Sequence, residues 1–81
     1  MPNAEDFRST LEEIFSIAEI TKLSGVVVKA GNLHRLVGDY PGNHRMPICC
    51  NAMRQMMKEG DEILAAPPKV DGASLEILYR L

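Results

Sequence analysis

Between Tyr40 and Lys58 the chain carries no acidic residue, although it holds 11 Asp and Glu in all and has a net charge of −2. That run contains Arg45, Asn51, Arg54, Gln55 and Lys58. Several of these are the residue types that read bases. Arg forks onto guanine O6 and N7, and Asn or Gln pairs with adenine N6 and N7. Lys58, Lys29, Arg35, Lys69 and the turn residue His44 are of the kind that holds phosphates, which sets register without reading sequence. The bland alternative is an ordinary wet helix face.

Other chemistry finds less support. Cys49 and Cys50 are neighbours, and a helix points adjacent side chains about 100° apart. They suit small buried hydrophobes better than a disulfide or a nucleophile; only Arg45 and Arg54 lie near enough in sequence to favour a thiolate. His34 and His44 add two metal-ligand types, but no C-x-x-C pair accompanies them, so no metal is expected. The glycines at 25, 31, 38 and 42 form neither a P-loop nor a dinucleotide fingerprint. No third residue orients a Cys–His pair. The expectation is a non-enzymatic chain without a cofactor.

The charge is unevenly spread. Residues 1–20 hold Glu5, Asp6, Glu12, Glu13 and Glu19 against Arg8, and residues 59–81 hold five acids against Lys69 and Arg80. Between them, Lys22, Lys29, Arg35, Arg45, Arg54 and Lys58 face only Asp39. This predicts a basic face in the middle of the chain, if segregation in sequence survives in space. At 46% hydrophobic and 25% charged, the composition is that of one small globular domain. Tryptophan is absent, so Leu, Ile, Val and Met must fill the core. No apolar run approaches the roughly 20 residues of a membrane span. The polar, acidic start and the unpaired thiols point to the cytosol.

The elements that must position these residues follow from periodicity. Phe7, Leu11, Ile14, Phe15 and Ala18 recur at spacings of three and four, so a first helix is predicted, capped by Asn3 and ending near Ile20 or Lys22. "GVVVKAG" reads as a short strand. Asn32 is expected to cap a short second helix with Leu33, Leu36 and Val37 inward, and "GDYPGN" is a turn. A third helix is predicted over about 45–59, with Pro47 in its first turn and Gly60 ending it. Met46, Cys49, Cys50, Met53, Met56 and Met57 form its inner side. "DEILAAPP" and "SLEILYRL" form a hairpin, the second strand burying Leu75, Ile77, Tyr79 and Leu81.

The order of helix, short strand, short helix, turn, longer helix and hairpin, carried by "AGNLHRLVGDYPGNHRMPICCNAMRQMM" and its flanks, resembles the winged-helix variant of the helix-turn-helix family, as found in small bacterial or phage domains. The resemblance implies an α+β winged helix of three helices, a short first strand and a C-terminal β-hairpin wing. It implies a regulator of transcription that places the third helix in the major groove of double-stranded DNA and the wing, about residues 67–73, on the backbone. The turn before the third helix is longer than the motif's usual three or four residues, and the wing sets Asp71 against Lys69. A winged helix can also dock a protein partner instead of DNA. The apolar stripe of the acidic first helix is a candidate seam for a homodimer.

Overall fold

The structure is a computed structural model that describes residues 2–38, 45–68 and 71–81. It is α+β, with three helices against a three-stranded antiparallel sheet. In chain order the elements are α1 (Ala4–Ile20), β1 (Gly25–Lys29), α2 (Ala30–Val37), α3 (Met46–Gln55), β2 (Glu62–Ala65) and β3 (Glu76–Arg80). The last strand lies in the middle: the sheet order is β1-β3-β2.

Asn3 caps α1 as its type suggests. Its side chain accepts from the Asp6 amide at 2.9 Å, and Asp6 Oδ2 accepts from the Asn3 amide at 2.8 Å, a reciprocal capping box. At the far end, Lys22 N–H donates to the Glu19 carbonyl and Leu23 N–H to that of Ala18, the Schellman pattern. That pattern needs a left-handed residue, and Lys22 supplies it at φ 62°. Phe7, Leu11 and Ala18 are buried, with Ile14 and Phe15 packed at the margin. The apolar stripe of α1 is thus taken up by the chain's own core.

The second helix departs from the expectation at both its start and its face. It begins at Ala30, directly from β1, and Asn32 does not cap it. Its first amides are met by the chain before β3: Ala30 N–H donates to the Leu75 carbonyl at 2.8 Å and Gly31 N–H to that of Ala73 at 3.0 Å. A tertiary contact does the work of a capping side chain. Gly31 permits it, because a Cβ there would lie 3.2 Å from Ala73 Cβ. Starting at residue 30 puts Ala30, Leu33, His34 and Val37 on the inner face. Leu36 therefore points to solvent, 68% exposed, instead of inward.

The third helix is shorter than expected. It stops at Gln55, and Gly60 belongs to a separate turn. In that turn Asp61 Oδ2 accepts from the Lys58 amide at 2.9 Å, and the Asp61 amide donates to the Lys58 carbonyl at 3.0 Å. A short acidic side chain that captures a nearby amide offers the backbone an alternative to the helix. Met46, Cys49, Cys50 and Met53 are buried, while Met56 and Met57 are half-buried against the same core.

Leu75, just before β3, and Ile77 and Tyr79 within it alternate into the core, but Leu81 lies beyond the strand and is exposed. Tyr79 donates its hydroxyl to the Met53 carbonyl at 2.7 Å and tilts its ring on Phe15. His34 is fully buried beside Phe7, and its Nε2 accepts from the Arg45 amide at 3.0 Å. This bond ties the start of α3 to α2.

Candidate nucleic-acid interface

Burial decides which face α3 presents. Met46, Cys49, Cys50, Ala52 and Met53 turn inward, so Pro47, Asn51 and Gln55 are left outermost, with Ile48 and Arg54 at their flanks. Pro47, Ile48, Asn51 and Arg54, together with Asp71 from the β2–β3 connection, line an open groove of about 350 Å³. A second depression, about 420 Å³, runs from Asp71 along Gly72, Ala73, Ser74, Pro67 and Pro68. Asp71 lines both.

The junction is built by α3 side chains. Arg54 donates to Asp71 Oδ1 at 2.7 Å, with both side chains about one-third exposed. One turn earlier, the Cys50 thiol donates to the Gly72 carbonyl at 3.4 Å. The Cys49 thiol points the other way, to the Ala30 carbonyl at 3.6 Å. The adjacent thiols diverge and act as packing. Burial, and then the neighbouring Cys50, push the Cys49 thiol up to about 12. Burial raises Cys50 as well; the Gly72 contact and Arg54 oppose that and do not overcome it. Since the thiolate is the reactive form, neither cysteine is expected to react with iodoacetamide at pH 8 in the folded protein. Both should be modified once urea unfolds it, as read by mass spectrometry; modification of the folded chain would show that the core opens.

The residues chosen from sequence are only partly gathered. Asn51 is exposed and lines the groove. Arg45 stands at the helix start, half-buried. Gln55 points toward α1, where its Oε1 accepts from Arg8 at 3.2 Å, and Arg8 also pairs with Glu5. Lys58 is off the helix: its ammonium contacts the Arg80 carbonyl and Asp61. Arg35 lies on the exposed face of α2 and donates to Asn32 at 3.0 Å. His44 and Lys69 fall outside the described residues. The charge blocks of the sequence therefore interleave in space. Arg54 and Lys58, from the basic block, each meet an acid from the C-terminal third.

Pro47 was not expected in the site, and Asp71 was expected there only as part of the wing. The Asp71-Gly72 pair signals a turn, but no local pattern reveals that this turn folds back onto Arg54. Among the described residues, no helix is long and apolar enough to cross a membrane. Comparison of the chain with protein-family models, with curated proteins and with solved structures finds no match.

Proposed function

We propose that the chain is a winged-helix-like module of the cytosol, without catalytic activity, that binds double-stranded DNA through the exposed face of α3 as part of transcriptional control. The observation that carries this reading is the groove itself. It brings Asn51 and Arg54 of α3 together with Asp71 of the hairpin connection. In this arrangement Asn51 and Arg45 face the bases, Gln55 lies at the α1 side, and Arg54 is held by Asp71 until a phosphate or base competes for it. Arg35, Lys58, His44 and Lys69 are the flanking phosphate contacts of the same reading.

The test is titration of short mixed duplexes at low and physiological salt. Binding should weaken steeply with salt, because cations that neutralise phosphates release counterions. Asn51→Ala and Arg45→Ala should each cost about 1–3 kcal/mol of affinity for a preferred site. Asp71→Asn should tighten binding, since it removes an acid from the groove and frees Arg54. Absence of binding at low salt overturns the proposal.

A second reading is that the same face docks a protein. The Arg54–Asp71 pair favours it, because an ion pair lining an uncharged groove leaves little net positive charge for DNA. Under this reading Asp71→Asn leaves DNA affinity absent at every salt concentration.

A further inference from the structure

The two edges of the sheet are treated differently. With the order β1-β3-β2, β1 and β2 are the two edges among the described strands. The β2 edge is broken by the bulge between Ile63 and Ala65 and followed by Pro67 and Pro68. Bulges and prolines are standard protections against pairing with another chain. β1, Gly-Val-Val-Val-Lys, has neither, and Val27 at its centre is 52% exposed.

Ladder phase shows which backbone groups are open. Leu81 N–H donates to the Ser24 carbonyl, and Ala30 N–H donates to the Leu75 carbonyl. Val26 lies opposite Tyr79 and Val28 opposite Ile77. Antiparallel alternation therefore turns Ser24, Val26, Val28 and Ala30 toward β3, and turns the N–H and C=O of Gly25 and Val27 away from it. No other described strand pairs with that side.

We propose that this edge pairs with β1 of a second copy, antiparallel, with Val27 on the two-fold axis. This register sets Gly25 opposite Lys29, Val26 opposite Val28, and Val27 opposite itself. It is self-complementary in hydrogen bonding, and it sets no two charged side chains directly opposite each other. Each Lys29 faces a glycine and keeps Glu76 as its neighbour in its own sheet, while each Gly25 is flanked by Arg80. The outer face gains an apolar row of Leu78, Val27, Val27 and Leu78 across the seam, since Val27 lies opposite Leu78 within each sheet. Glycine at 25 leaves space beside Leu78, whose Cδ1 would be 3.2 Å from a Cβ there. A slip of one residue would set inward side chains against outward ones, and the sheet forbids it. The inference rests on the sheet and not on the DNA reading.

Sedimentation equilibrium of the full chain tests it. The wild type should dimerise at micromolar concentration. Val27→Pro removes an outward N–H without touching the ladder to β3, and Val27→Lys sets two ammonium groups face to face. Each should weaken self-association by at least about tenfold while circular dichroism shows the fold retained. Hydrogen exchange on the wild type provides a readout that needs no variant. The Gly25 and Val27 amides should gain protection as concentration rises, while those of Val26 and Val28 are protected throughout. A wild type that stays monomeric at hundreds of micromolar overturns the proposal. So does a dimer that neither substitution weakens, or one in which the Gly25 and Val27 amides stay unprotected.

Discussion

Replacing Tyr79 by alanine is expected to destabilise the protein by about 3–5 kcal/mol, the range for deleting a buried aromatic ring. A domain of this size has about 4–12 kcal/mol in total, so the variant should lose a large share of its stability. The size of the effect comes from position. Tyr79 is fully buried on the central strand, packs on Phe15 of α1, and bonds the Met53 carbonyl of α3. One side chain thus joins three elements. Burial, then the Asp61 carboxylate and Cys49, hold the phenol protonated far above its ordinary range, so it remains a donor at every accessible pH. Tyr79→Phe keeps the ring and loses only the bond, at a cost of about 1–3 kcal/mol for a buried carbonyl left without its partner. Urea unfolding followed by circular dichroism separates the two. If both substitutions cost the same, the ring's packing is not what secures the core.

Asp61 should give the second large effect. Its side chain is wholly screened from solvent, and it accepts from the Arg80 amide at 2.7 Å, the Lys58 amide at 2.9 Å and the Lys58 ammonium at 3.4 Å. Burial raises its carboxyl, but these donors outweigh burial and hold it below the usual carboxylate range. A carboxyl lowered in the folded state contributes stability above its unfolded value of about 3.9, and that contribution disappears as pH falls through the folded value. Asp61→Asn is therefore expected to cost about 2–3 kcal/mol near pH 7, from weakened charge-assisted bonds. The gap between variant and wild type should close as pH drops below about 4. Thermal melts of both proteins from pH 7 to pH 2 check this. A gap that stays constant would mean the carboxylate's charge contributes nothing.

Local patterns made much of the architecture legible. The spacing of Phe7, Leu11 and Ala18 located α1, the Asn3 cap located its start, and the alternation of Leu75, Ile77 and Tyr79 located the inner face of β3. What escaped was set by contacts outside each element's own pattern, some of them distant in sequence. The start of α2 is determined by carbonyls of Ala73 and Leu75, which no reading of residues 30–37 could supply. That start then rotated Leu36 to the outside. The end of α3 was set by Asp61, whose side chain takes the Lys58 amide, so Gly60 was the wrong terminator to look for. At the candidate site, the helical wheel placed Asn51 and Arg54 together on the outer face; Asn51 is exposed there, while Arg54 is half-buried at its flank. Its pairing with Asp71 depends on the hairpin folding back and has no local signature.

The order of synthesis and the order of assembly run opposite ways here. In the sheet β1 and β2 are not neighbours; each pairs with β3, the last of the three to be made. The opening turn of α2 waits on the same segment for its backbone partners. A nascent chain short of β3 therefore has strands but no sheet, and a second helix with nothing at its head. The hydrophobic Val26–Val28 segment must stay clear of other chains until its partner emerges, so the interval before β3 is made is when this protein is most open to misassembly.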